Sequence, residues 1–344
     1  MYLIESEINE QPAVIHRIIT EQAENAKRIA AAIREFNPTF VCIAARGTSD
    51  NAGRYAQYLM GIEARLPVML ATPSVHTLYE AAPDLSRALV IGISQSGHSE
   101  DIYRVITDAR SQGALTLSIT NNASSRIAQT AAYHFDLLAG EELSIAATKT
   151  YTAQLTAVAL LVATLVDKSE LYSQLSTLSD LVKDTLLLSE AIPRWTERYR
   201  YMEHFASIGR GYNYCTAFEI SLKVKELCSV ISEQYSEADF RHGPIAIIKP
   251  GFPALVVAPD GKPVHGLIDL LEMLRQRKAE CLVISNHPDA LGFAKNGMRL
   301  PQQPEWLTPI TAVIPGQVFA MNLALVRGLP VDKPEGLTKV TNTI

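Results

Sequence analysis

The sequence predicts an α/β protein built from two tandem doubly wound domains, each a parallel sheet flanked by helices. Three observations predict it. Short continuous apolar runs, such as residues 88–93 (Ala-Leu-Val-Ile-Gly-Ile), read as strands buried on both faces, as strands of a parallel sheet are. Such runs alternate with stretches of helical spacing, as in residues 100–110, where Ile102, Val105, Ile106 and Ala109 share one side. The pattern also repeats. Phe205-Ala206-Ser207-Ile208-Gly209-Arg210-Gly211 echoes Cys42-Ile43-Ala44-Ala45-Arg46-Gly47, residues 254–258 echo 88–93, and residues 279–286 echo 114–121. The offset is about 165 residues throughout, which points to duplication of one unit.

Bulk properties agree and exclude several classes. A length of 344 residues suggests two domains at roughly 150 residues each. With 47% apolar and 19% charged residues, the chain has enough apolar material for sizeable cores. A net charge of −5 and the lack of a long Lys/Arg run argue against a nucleic-acid partner. Cys42, Cys215, Cys228 and Cys281 show no paired spacing, so they read as reduced core residues of a cytoplasmic protein. These cysteines and the eight histidines show no zinc-type spacing, and no metal site is expected. The first ten residues carry three glutamates and no basic-then-apolar leader. Residues 152–166 are apolar but too short and too rich in threonine for a membrane span, so a buried helix is expected.

In order, residues 1–12 read as an acidic, partly extended arm, and 14–36 as one or two amphipathic helices ending before Pro38. Residues 39–45 form a strand, and Arg46-Gly47-Thr48-Ser49 a turn into a helix over 51–61. Strands follow at 68–71, 88–93, 114–120 and 133–138, then a long apolar helix from about Thr148. Residues 170–200 are helical and polar on one side, suited to a connector. The expected division is 1–36 arm and helix, 37–168 first domain, 169–199 connector, 200–328 second domain, and 329–344 C-terminal tail.

The stretch Ser94-Gln95-Ser96-Gly97-His98-Ser99 lies between a strand and a helix start. Backbone N–H groups and the positive end of the helix dipole converge at such a turn, and the serines and glutamine add donors. An ordinary turn with Ser99 as helix N-cap is the simpler reading. The equivalent stretch of the second half, Pro259-Asp260-Gly261-Lys262-Pro263, has lost the hydroxyls and gained an acid. Only the first loop is therefore expected to hold a phosphate, at the carboxyl ends of the strands.

Three further groups stand out. Glu219, Lys223 and Glu226 lie within a narrow arc of one helix at about 100° per residue. They fit a solvated face held by an i,i+4 pair, or a carboxylate base with a lysine beside it at a pocket wall. Phe240-Arg241-His242-Gly243-Pro244 places a histidine on a turn, either idle and exposed or projecting its imidazole for catalysis. The tail residues 331–340 hold Lys333 and Lys339, which on physical grounds alone are solubilising.

Taken together, these residues resemble the sugar isomerase (SIS) family with two tandem domains. The likeness is strongest to the isomerase half of glucosamine-fructose-6-phosphate synthases and to the stand-alone SIS-type glucosamine-6-phosphate deaminases. It is carried by Glu7-Ile8-Asn9-Glu10-Gln11-Pro12, Gly47-Thr48-Ser49, Ser94-Gln95-Ser96-Gly97 and Ala146-Ala147-Thr148-Lys149 with Gln154. It continues through Gly209-Arg210-Gly211, residues 219–226, His242-Gly243-Pro244, Asp332-Lys333-Pro334 and Leu337-Thr338-Lys339. The resemblance implies that Ser94, Gln95, Ser96 and Ser99 hold the sugar phosphate and that Thr48 and Ser49 contact the sugar. It carries Ile145, Ala147 and Glu219 over as substrate-binding positions. It implies Glu226 as the base between C1 and C2, Lys223 beside it, and His242 as ring-opening acid/base donated across a homodimer interface. Lys339 would form a Schiff base with the ketose.

Departures matter. Ala147 stands where the synthases have a sugar-contacting serine, Glu335 replaces an arginine, and His98 replaces a glutamate. The sequence begins at the isomerase half, without a glutaminase part. The implied function is therefore deamination of glucosamine 6-phosphate, or a close relative, to fructose 6-phosphate and ammonia through an enolamine, without metal or redox cofactor. An aldose–ketose isomerase or deglycase is the nearest alternative. A non-catalytic sugar-phosphate sensor is the alternative of another class, since fold alone does not imply function.

Overall fold

The structure, a computed structural model, describes residues 1–339. It divides into two compact units, each with its own sheet. The first-sheet unit comprises Gln11–Glu142, Lys149–Leu178 and, of the tail, Thr338 and Lys339. Its strands are β1 (Phe40–Ala44), β2 (Val68–Leu70), β3 (Ala88–Ser94), β4 (Leu115–Thr120) and β5 (Tyr133–Asp136), ordered β2-β1-β3-β4-β5 and all parallel. Every residue of β3 is buried, because a central strand of a parallel sheet is covered on both faces. Side chains alternate across the pleat. Cys42, Ala44 and Val90 cluster with Ile102, Val105 and Ile106 of the Glu100–Ser111 helix, while Ile43 meets the Thr48–Leu59 helix near Gly53. The Lys149–Val166 helix is buried from Lys149 to Thr164. It and the Glu305–Val326 segment of the other unit are apolar and long enough to cross a membrane, yet 89% and 78% of the two windows are buried inside the protein.

The second-sheet unit comprises Met1–Glu10, Leu143–Thr148 and Ser179–Leu337. Its strands are β6 (His204–Gly209), β7 (Ile231–Ser236), β8 (Pro253–Val257), β9 (Glu280–Ser285) and β10 (Met298–Arg299), again all parallel. Read from β7, their order is β7-β6-β8-β9-β10, the order of the first sheet. The two tandem doubly wound domains expected from the sequence are present. Leu267, Leu270, Leu271 and Leu274 of the Val264–Gln276 helix cover one face of this sheet beside Ile208, Val256 and Val283. The Tyr214–Cys228 helix packs against Thr308–Val326, and a Cβ at Gly316 would lie 2.4 Å from Ile220 Cγ1, so only glycine admits this approach.

Two local expectations are corrected. The N-terminal arm is not extended: Leu3–Glu21 is one helix that runs through Pro12. Ile4, Ile8, Gln11, Ile15 and Ile18 recur at helical spacing and are all buried, which outweighs the proline. Thr48 and Ser49 lie in the first turn of the Thr48–Leu59 helix rather than in the preceding loop, because Gly47, at φ 53°, supplies the N-cap. The tail is described as far as Lys339; residues 340–344 lie outside the described residues.

Candidate active site

The order in which strands are added to the first sheet reverses between β1 and β3, and a strand order of this kind leaves a crevice at the carboxyl ends of those two parallel strands. β1 leads through Arg46 and Gly47 to Thr48 and Ser49; β3 leads through Gln95–His98 to Ser99. Four of the expected substrate contacts and both sugar contacts thus come from the two turns at one switch point. The Nε of Arg46 donates to the buried Asp101 carboxylate at 2.5 Å, tying the β1 turn to the Glu100–Ser111 helix.

Within the loop, Ser94 Oγ accepts the Gly97 N–H at 3.1 Å and Ser96 Oγ accepts the His98 N–H at 3.3 Å. Gly97 has φ +70°, and a Cβ there would fall 2.0 Å from Ser125 Oγ. Only glycine meets both conditions. Ser99 occupies the N-cap position, but its hydroxyl makes no capping bond among the described residues. The simple cap reading of Ser99 therefore fails, and the start of a 12-residue helix points into the loop. Ser49 is 7% exposed and its Oγ accepts from Gln154 Nε2 at 2.9 Å, so the Lys149–Val166 helix orients it. Burial pushes the neighbouring Asp50 carboxyl above its usual range, against the pull of Arg54 and Arg46.

Gln95, Ser96 and His98 line a cleft of ≈ 440 Å³ with Asn121 and Asn122 after β4 and with Gly140, Glu141, Glu142 and Lys339. Lys339 is thus brought beside the Ser94–Ser99 loop. Its Nζ donates to Glu142 Oε2 at 2.8 Å. Glu142 is fully buried and also accepts from Thr150 N (3.1 Å) and Thr150 Oγ1 (2.7 Å). Sequence reasoning missed Glu142, whose only signal was a Glu-Glu pair after Gly140.

The remaining candidates lie in the second-sheet unit. Lys223 Nζ is 2.5 Å from Glu226 Oε2 and 3.4 Å from Glu219 Oε1. The side chains of Lys223 and Glu219 are 1% and 0% exposed and that of Glu226 is 24% exposed, so the solvated-face reading is wrong. Two buried charges persist only when paired, and here the pair leaves one partly open carboxylate with a cation against it. Ile145 and Ala147 are half-buried in Leu143–Thr148. That segment is held by Glu7, which accepts from the Ser144 hydroxyl and from Leu143 N, and by Asp332, whose carbonyl accepts from Ile145 N at 3.1 Å. His242 is exposed at the end of the Glu237–Arg241 helix, its N–H bonded to the Asp239 carbonyl at 3.1 Å. Buried Glu237 pairs with Arg210 and with Arg241 (2.5 Å), fixing that short helix under β6.

The SIS domain pattern matches residues 37–164 and 202–327, together most of the chain. The chain belongs to the SIS domain family. It is 32% identical over 342 residues to the isomerizing glutamine–fructose-6-phosphate aminotransferase of Pyrococcus horikoshii, covering 97% of this chain and 56% of that protein. It thus spans just over half the length of that curated relative. Among solved structures, a protein from Silicibacter pomeroyi DSS-3 provisionally described as a phosphosugar isomerase superposes with TM-score 0.86 at 30% identity, over 96% of this chain and 99% of the other. Glucosamine-6-phosphate deaminase from Thermotoga maritima shares the fold, with TM-score 0.83 at 20% identity over 99% of this chain and 100% of the other.

The second SIS domain has the same switch point, between β6 and β8, but fills it differently. Glu305 Oε2 accepts the Lys262 N–H at 3.0 Å, and a Cβ at Gly261 would sit 2.5 Å from Glu305 Cδ. A second acid, Glu305, 43 residues beyond Lys262, thus joins Asp260 at this turn, where the Asp260 N–H bonds Asn286 Oδ1 at 2.7 Å. The Glu305 carboxylate lies directly against the Gly261–Lys262 backbone of this turn.

Proposed function

We propose that this SIS protein removes the amine of a 2-amino-2-deoxyhexose 6-phosphate, converting glucosamine 6-phosphate or a close relative to fructose 6-phosphate and ammonia. The observation that carries the reading is Lys339 beside Glu142 in the cleft of the Ser94–Ser99 loop. An aldose–ketose proton shuttle needs a base and a phosphate anchor; a primary amine in the sugar cleft adds exchange chemistry at an imine carbon. The aminotransferase relative acts, by its name, on fructose 6-phosphate, and the loop residues of this chain suit the same phosphate.

In this reading Ser94, Gln95, Ser96 and Ser99 hold the phosphate, and Thr48, Ser49, Ile145, Ala147 and Glu219 belong to the substrate-binding set. His242 assists opening of the pyranose ring and is donated across the interface of a cytoplasmic homodimer. Glu226, as general base, takes the C2 proton and returns it to C1 through an enolamine, which turns the C2 amine into an imine. Lys223 offsets the negative charge that develops on the enolamine. The neutral Lys339 amine attacks the imine carbon and expels ammonia, and water then hydrolyses the lysyl imine to the ketone and frees the lysine. Nitrogen leaves as ammonia, one water is consumed, and no electron is gained or lost.

The test is ammonia release from a panel of 2-amino and neutral hexose 6-phosphates. Release from glucosamine 6-phosphate or a close relative, matched by ketose phosphate, supports the reading. Interconversion of neutral sugar phosphates with no ammonia from any amino sugar replaces it with the isomerase.

A further inference from the structure

Lys339 stands on a stretch without regular secondary structure, three residues past the turn that ends at Gly336, so little in the local backbone fixes where its amine goes. Its stem is a flexible chain of four methylenes, and ordering such a side chain costs rotamer entropy. An amine that must reach one carbon needs a fixed anchor. Glu142 has the properties of one. Its side chain is 0% exposed while that of Lys339 is 26% exposed, so the anchor lies behind the amine and the amine faces the cleft. Oε1 accepts Thr150 N at 3.1 Å and Oε2 accepts Thr150 Oγ1 at 2.7 Å, at the buried start of the Lys149–Val166 helix. The carboxylate is thus braced by a rigid element before it meets the lysine at 2.8 Å.

We infer that Glu142 is the positioning residue for Lys339: it holds the lysine amine in the cleft of the phosphate loop, at the distance from which the amine reaches the sugar's imine carbon. The inference rests on the proposed imine chemistry. Charge-assisted hydrogen bonds are short and directional, and a carboxylate braced on a second side transmits the position of the helix to the lysine. Glu142 itself neither bonds the sugar nor moves the C2 proton. Thr150 acts one step further back, by fixing the carboxylate.

The experiment traps the lysyl imine. Protein is mixed with fructose 6-phosphate and sodium borohydride, and the reduced adduct on Lys339 is quantified by mass spectrometry in wild type, Glu142→Gln, Glu142→Asp and Thr150→Val. Binding of inorganic phosphate to each variant is measured alongside. Glu142→Gln is expected to bind phosphate within about twofold of wild type and to form the adduct about ten- to a hundredfold more slowly. Glu142→Asp, which keeps the charge, is expected to recover part of the rate, and Thr150→Val to lose part of it. A merely structural role would lower phosphate binding and adduct together. Adduct formation in Glu142→Gln equal to wild type overturns the inference and leaves the imine chemistry standing. Absence of any adduct in wild type overturns the imine chemistry first, and the inference with it. If Glu142→Gln fails to fold, the Glu142→Asp and Thr150→Val rates decide, and both equal to wild type overturns the inference.

Discussion

Lys223 Nζ lies 2.5 Å from Glu226 Oε2, and the lysine is 1% exposed while the glutamate keeps 24% of its side chain open. The pair is asymmetric: the cation is committed to the interior, wedged against the fully buried Glu219, and the carboxylate faces out. This asymmetry suits a base that works next to a fixed positive charge.

Glu226→Gln keeps the shape and removes the base. Turnover is expected to fall about 10²-fold or more, with phosphate-ligand affinity close to wild type. Steady-state kinetics together with calorimetric binding of a hexose 6-phosphate separate the two effects. Unchanged turnover removes Glu226 from the mechanism.

Ser96→Ala tests the anion loop. Loss of one hydrogen bond to a charged group weakens binding by roughly 1.5–3 kcal/mol. Gly97→Ala is expected to lower affinity further, since the added Cβ meets Ser125 and φ +70° disfavours an L side chain. Titration of both variants with inorganic phosphate reads the result. Intact phosphate binding with lost turnover would move the anchor elsewhere.

Much of this was readable from the chain, and the failures have physical causes. β3 is legible because its buried residues include an uninterrupted apolar run, 88–93, and the Ser94–Ser99 loop follows it directly. The Leu3–Glu21 helix is hidden by Pro12 and the glutamates, since its stabilising contacts come from isoleucines whose burial is tertiary. Glu219, Lys223 and Glu226 look solvated because their spacing is that of surface ion pairs. What buries the helix that carries them is Thr308–Val326, distant in sequence and admitted by Gly316. Glu142 and Lys339 are 197 residues apart, and no local pattern joins them. The same holds for Glu305, which reaches the Lys262 N–H from outside that loop.

His242 is proposed to act across a subunit interface, and mixed dimers test this. Glu226→Gln and His242→Ala chains, each inactive alone, are unfolded and refolded together. In a two-fold dimer with histidine donated in trans, half the dimers carry one intact site, so activity returns to about a quarter of wild type. No recovery means that each chain uses its own histidine.

Burial pushes the Cys42 and Cys281 thiols up to about 11 and the Cys228 thiol up to about 12. A raised thiol pKa keeps the group protonated, so at pH 7.5 about one in a thousand or fewer of these thiols is the reactive thiolate. Labelling with a disulfide reagent is expected to be slow in native protein and fast in denaturant. Rapid native labelling of Cys42 or Cys228 would contradict the packing around them.

The most direct test follows nitrogen and hydrogen together: glucosamine 6-phosphate deuterated at C2 is incubated with the protein, and ammonia, ketose phosphate and the label at C1 are measured in one reaction. The account predicts one ammonia per fructose 6-phosphate, with part of the deuterium carried to C1. Sugar isomerisation without ammonia, or ammonia from a substrate that keeps all its deuterium at C2, would contradict it.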